Sequence, residues 1–250
     1  MGLAAIGWAV LVWQANRPGM AIGDPESGMA MGERSALDLT AGMSAGLFLA
    51  MWVVMMAAMM FPTAAPMVLM FARVHAGKRR RGQSFVPTWL FTGAYLALWT
   101  AFGAVAYLLA TAAAAWLRQS MWSVGNTVRI AAVAIVLAGV YQLTPLKRVC
   151  LRHCRSPLAF VTQHWREGWA GSFLMGLQHG LYCLGCCWLL FLLLFPIGVM
   201  NLVAMLLITA LIFAEKALPA GERTARFAAA ALIGYGVLVL AVPAALPLSA

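Results

Sequence analysis

The stretch GLQHGLYCLGCCWLL, Gly176 to Leu190, sets one histidine and three cysteines in an otherwise apolar run. Thiolate and imidazole are ligands for soft and borderline metal ions, and thiols also exchange disulfides. On a helix with His179 at 0°, Cys183 falls at about 40°, Cys186 at about −20° and Cys187 at about 80°. His179, Cys183 and Cys186 then share a stripe about 60° wide. Along the axis, His179 stands about 6 Å from Cys183 and about 10.5 Å from Cys186. One ion can take neighbouring members of this stripe, but not all four side chains from a straight helix. The segment is therefore one wall of a site whose remaining donors come from elsewhere. The plain alternative is that cysteine packs as a small apolar residue. Three cysteines within five residues, the first four after a histidine, argue for chemistry instead. A histidine inside an apolar span is itself a functional candidate. Gly176, Gly180 and Gly185 would let a neighbouring helix come close to this face.

A second donor set lies in MWVVMMAAMMFPTAAPMVLM, Met51 to Met70. Met51, Met55 and Met59 form one i, i+4 row, with Met56 and Met60 in a second row beside it. The thioether suits Cu(I) and suits hard cations poorly, although methionine also fills gaps in any apolar core. Pro62 and Pro66 each remove a backbone hydrogen bond and are expected to kink this helix. A third set is YQLTPLKRVCLRHCRSP, Tyr141 to Pro157. If the segment is helical, Cys150 and Cys154 point the same way and could grip one ion, while His153 points elsewhere. Lys147, Arg148, Arg152 and Arg155 nearby would favour the thiolate. Glu215 either accompanies Lys216 at a membrane interface or faces the helix bundle. Lys216 is expected to snorkel to the headgroups, and His75 and His164 to be solvated in basic loops.

The elements that must position these residues follow from composition. The chain has 250 residues, 64% of them hydrophobic and 10% charged, where soluble domains carry about 25% charged residues. This points to an all-α polytopic membrane protein. Apolar runs of about 18 residues or more mark helical spans. They fall at about 42–71, 86–116, 128–146, 171–195, 197–215 and 225–246, with a shorter first run at 3–15. That makes seven spans, or six without the first, in a single membrane domain, with a tight hairpin at Pro196-Ile197-Gly198. The net charge of +10 comes without a nucleic-acid motif, so no nucleic-acid partner is expected. Lys and Arg cluster at 73–81, 147–166 and 216–226, leaving only Arg17, Arg34, Arg118 and Arg129 in the alternate loops. By the positive-inside rule the N-terminus is cytoplasmic and, with seven spans, the C-terminus outside. Four acidic residues, Asp24, Glu26, Glu33 and Asp38, lie in the outside loop at about 16–41. The odd number of cysteines, mostly in adjacent or i, i+4 pairs, does not describe a secreted disulfide framework.

Taken together, MWVVMMAAMMFPTAAP, YQLTPLKRVCLRHCRSP, GLYCLGCCWLLFLLLFPIGVMNLVAMLL and the AEK at Ala214 to Lys216 resemble a bacterial family of polytopic membrane proteins catalogued as predicted metal-binding integral membrane proteins. The resemblance covers Met51 to Lys216. It places the family's motif residues at Met55, Met56, Met59, Met60, Pro62, Cys150, Cys154, Cys183, Cys186, Cys187, Trp188 and Glu215; His179 is the less secure ligand. The expected function is a Cys/Met soft-metal site, for Cu(I) first, serving transport or delivery to a membrane copper enzyme or metallochaperone in the bacterial cytoplasmic membrane. Zinc fits cysteine and histidine but not the methionines. Two further readings stay open. One is a metal-free assembly subunit; the other is a redox protein using thiols, or haem held by His179 and a methionine. No acid/base pair or cofactor fingerprint points to an enzyme.

Overall fold

A computed structural model of the chain describes residues 2–15, 44–119, 124–197 and 201–242, which are helical apart from short connections. The acidic loop at 16–41, Met43, Gly198 of the expected hairpin and the end of the last span lie outside the described residues. In chain order the helices are α1 (Gly2–Ala15), α2 (Ala45–Arg80), α3 (Thr88–Gln119), α4 (Val124–Gln142), α5 (Pro145–Arg155), α6 (Pro157–His164), α7 (Gly168–Leu192), α8 (Leu194–Ile197), α9 (Leu202–Ala217) and α10 (Gly221–Ala241).

The apolar runs become helices, in which the backbone satisfies its own polar groups within each segment. Four helices, α2, α3, α7 and α10, are long and apolar enough to cross a membrane. Val128–Gln142 and Pro145–Arg155 make a fifth if taken together, although they meet at 63°. The bend has a local cause. Thr144 caps α5, its side chain accepting from the Lys147 amide, and Pro145 takes the first turn, where a missing N–H costs nothing. At 14 and 16 residues, α1 and α9 are about 21 and 24 Å long, short of a hydrocarbon core of about 30 Å. Helix α2 runs unbroken through Pro62 and Pro66 for 36 residues.

Small residues set the helix contacts. A Cβ at Gly176 would collide with the carbonyl of Phe91, and one at Gly180 would lie 2.8 Å from Leu98 Cδ2, so α7 lies directly against α3. Gly139 and Gly236 do the same between α4 and α10, facing Ile233 and Val136. Across α2 and α3, the Trp52 indole donates to the Trp99 carbonyl at 2.9 Å. At the other end of α2, Lys78 donates to Glu167 at 2.6 Å and Trp165 donates to the same carboxylate at 2.7 Å. These two donors hold the Glu167 carboxyl below the usual carboxylate range. His75, expected in solvent, is buried instead. Its Nδ1 accepts from the Val86 amide at 3.1 Å and its ring packs on Phe71 and Trp165, because α2 continues past it as a helix. His164 is half-buried and stacks on Phe160.

Candidate functional site

Cys183 sits at the centre of the polar contacts in the bundle and is fully buried. Helix α7 holds it, with Gly180 one turn before and Gly185 just after. These glycines let α3 approach on one side and α5 on the other. From α3, the Tyr95 hydroxyl lies 3.0 Å from Cys183 Sγ. From α2, Met60 brings its Sδ to 4.0 Å. From α9, Lys216 donates to Cys183 Sγ at 3.0 Å. Four helices thus meet at one sulfur. From α5, Cys154 packs against the core that holds this thiol.

The other thiols are turned toward the same turn of α7. Cys186 and Cys187 both donate to the Cys183 carbonyl, at 3.0 and 2.8 Å. This is the back-bonding a thiol makes to the preceding helical turn when no better acceptor is offered. Cys150, buried on α5, lies against Gly185, where a Cβ would come within 2.7 Å of its Sγ. All five cysteines are free. The helix carrying Cys150 and Cys154 is laid across α7, and Cys154 packs against the core that holds Cys183.

Met55, Met56 and Met59 are buried in the same core as Met60. Thr63, one residue past Pro62, connects the methionine helix to the lysine. Its hydroxyl donates to the Met60 carbonyl at 3.0 Å and accepts from Lys216 Nζ at 3.4 Å. His179 stands apart from the thiols. It is enclosed by Phe91, Tyr95 and Phe160 at ring distances of 6.0, 5.9 and 5.4 Å, and its Nδ1 is buried without a partner. Trp188 meets Tyr141 edge-on at 5.7 Å, and the Tyr141 hydroxyl donates to the Gly185 carbonyl, fixing the outer end of the cysteine turn.

Lys216 does not snorkel. Its side chain is 9% exposed and its ammonium points inward to Cys183. Glu215 is not its companion either. Successive helical residues diverge by about 100°, and Glu215 turns to the other side. There it accepts from Lys147 at 2.7 Å and from Gln142 at 3.1 Å, with both ions 1% exposed. Tyr95, Thr63 and Lys216 are the site residues that donor spacing missed. A signal for Tyr95 did exist: Gly176 and Gly180 announce a close helix, and a tyrosine in an apolar helix wants a partner.

Among the described residues, no three His, Cys, Asp or Glu side chains form a metal cage. The clustered thiols are in contact with tyrosine, lysine, a thioether and backbone. What the arrangement offers is a soft, low-coordinate donor set of two or three thiols and a thioether, in a setting that favours Cu(I) over hard cations. Residues 49–239 match a family model described as PpoB2, copper chaperone. No curated protein and no solved structure matches the chain.

Proposed function

Since the chain belongs to the PpoB2 family of copper chaperones, we propose that it holds Cu(I) at Cys183 and hands it to a membrane copper enzyme. The donors are Cys183 with Cys154 or Cys186, completed by the Met60 thioether. The observation that carries this reading is the meeting of Met60 Sδ with Cys183 Sγ at 4.0 Å, with Cys154 packed against the same core. Donors from two separate helices meet there, a third helix brings Cys154 against the same core, and all are soft. Cu(I) is content with two or three sulfurs, whereas structural zinc takes four ligands. Haem is disfavoured at His179, because aromatic rings fill the space around the imidazole that a porphyrin would need.

The setting is the bacterial cytoplasmic membrane, crossed seven times with the N-terminus inside. In that arrangement α1 and α9 are short crossings within the bundle and α4–α5 is a broken one. Cys150 and Cys154, on the basic helix α5, lie on the side from which a cytoplasmic donor would arrive.

The test is metal analysis of protein purified without chelator or affinity metal. Wild type should bind Cu(I) near stoichiometrically, and Cys183→Ser with Cys186→Ser should abolish binding. Equal Cu(I) content and affinity in the two proteins would end the proposal.

A further inference from the structure

The thiol cluster contains a cation whose hydrogen bonds do not go to a carboxylate. Lys216 Nζ donates to Cys183 Sγ at 3.0 Å and to Thr63 Oγ1 at 3.4 Å. Cys186 and Cys187 are buried on the same stretch of α7 as Cys183. The adjacent carboxylate, Glu215, is held by Lys147 and Gln142 on the opposite side of α9. Burying an ammonium is costly unless charge and hydrogen bonds compensate it. A lysine in this position therefore needs an anion, and what the structure offers it is sulfur.

We propose that Lys216 is the charge-balancing residue of the metal site and sets its preference for a monovalent ion held by two thiolates. This rests on the copper reading above. The charges decide the matter. A Cu(I) ion carries +1, two thiolates carry −2, and the Lys216 ammonium carries +1, so the filled site is neutral. A divalent ion on the same two thiolates leaves one positive charge in a buried, low-dielectric pocket. It reaches neutrality only by recruiting a third thiolate. Without Lys216 the order reverses: two thiolates then balance a divalent ion, and the monovalent complex carries an uncompensated negative charge. Lys216 touches no metal in this scheme. It acts through the sulfur of Cys183 and through the field it places on the cluster. Arginine would keep the charge, glutamine would keep a hydrogen-bond donor without charge, and methionine would keep neither.

The experiment titrates Ag(I), a soft monovalent ion stable to oxidation, and Cd(II), a thiophilic divalent ion, into the full-length protein in detergent. Wild type, Lys216→Arg, Lys216→Gln and Lys216→Met are compared. The arginine variant should keep the wild-type ratio of Ag(I) to Cd(II) affinity. The glutamine and methionine variants should both lower that ratio by about 100-fold or more. A glutamine variant with the wild-type ratio would show that hydrogen bonding matters and charge does not, which overturns the inference; so would an unchanged ratio in the methionine variant. Wild-type protein gives a further test that needs no variant. Charge balance requires Cd(II) to recruit a third thiolate, so a Cd(II) site with only two sulfur ligands by X-ray absorption also overturns it. If wild type binds neither Ag(I) nor Cu(I), the copper reading itself fails. If it binds them and the ratio ignores Lys216, only this inference fails.

Discussion

At the scale of single residues, the site joins side chains that donor chemistry can pick out with others that it cannot. Cys183, Cys186 and Met60 stand out by type and spacing, because few apolar spans concentrate sulfur in this way. Met60 is the member whose contribution can be isolated. Leucine has nearly the same volume, so Met60→Leu should leave the packing of α2 almost unchanged. It removes the only thioether seen against Cys183 Sγ among the described residues. Cu(I) affinity should fall about tenfold, about 1.4 kcal/mol, while the unfolding temperature stays put. Competition with a Cu(I) chelator, run beside a melting curve, reads both. An unchanged affinity would mean that the thioether only fills space. Lys216 is the opposite case. At the end of an apolar run, its hydropathy surroundings predict a headgroup contact. What draws it inward is a thiol 33 residues earlier in the chain, and no local pattern carries that pairing. His75 is buried for a similar reason: the basic residues after it suggest a loop, but α2 runs on through Lys78 and Arg79 to Arg80.

At the scale of elements, the helices were legible because apolar length survives any arrangement, and the glycine face of α7 was legible because it is periodic. Gly176 is its sharpest point, since a Cβ there meets a backbone carbonyl, which cannot rotate away as a side chain can. Gly176→Val should push α3 off α7 and cost about 1–3 kcal/mol, visible as a lowered unfolding temperature in detergent. Gly185→Ala meets only the sulfur of Cys150 and should cost less. A melting temperature for Gly176→Val equal to that of wild type would show that α3 and α7 are not held at this distance. The bend between α4 and α5 is hidden from apolar length, although its signals are present. Counting apolar residues runs straight through Leu143 and Leu146, whereas Thr144-Pro145 is a cap followed by a first-turn proline and starts a new helix. That bend matters to the site, because a straight continuation of α4 could not lay Cys154 across α7.

At the scale of the whole molecule, the polar residues lie where element ends converge. Gln142 ends α4, Lys147 opens α5, and Glu215 and Lys216 close α9. All four turn inward: Gln142, Lys147 and Glu215 meet on one side of α9, and Lys216 turns to Cys183 on another. Lys147 and Glu215 are the cross-brace, an ion pair with both members 1% exposed that ties the bent helix α5 to α9. A buried pair of this kind is weak evidence for net stability, since desolvating two ions offsets much of their attraction. Breaking it by removing one partner leaves an uncompensated buried charge. Glu215→Gln keeps the shape and the acceptor for Gln142 but leaves the Lys147 ammonium buried without an anion. It should destabilise the protein by about 3–5 kcal/mol. Adding Lys147→Met removes the stranded charge and keeps the aliphatic length, so the double variant should recover to within about 1 kcal/mol of wild type, or exceed it. The measurement is a double-mutant cycle on unfolding free energy in one detergent. The two single variants should be far from additive, with the double more stable than Glu215→Gln alone. Additive losses would mean that the two side chains are not paired in the folded protein. In that case α5 would be free to leave α9, and the placement of Cys154 beside Cys183 would lose the contact that holds it there.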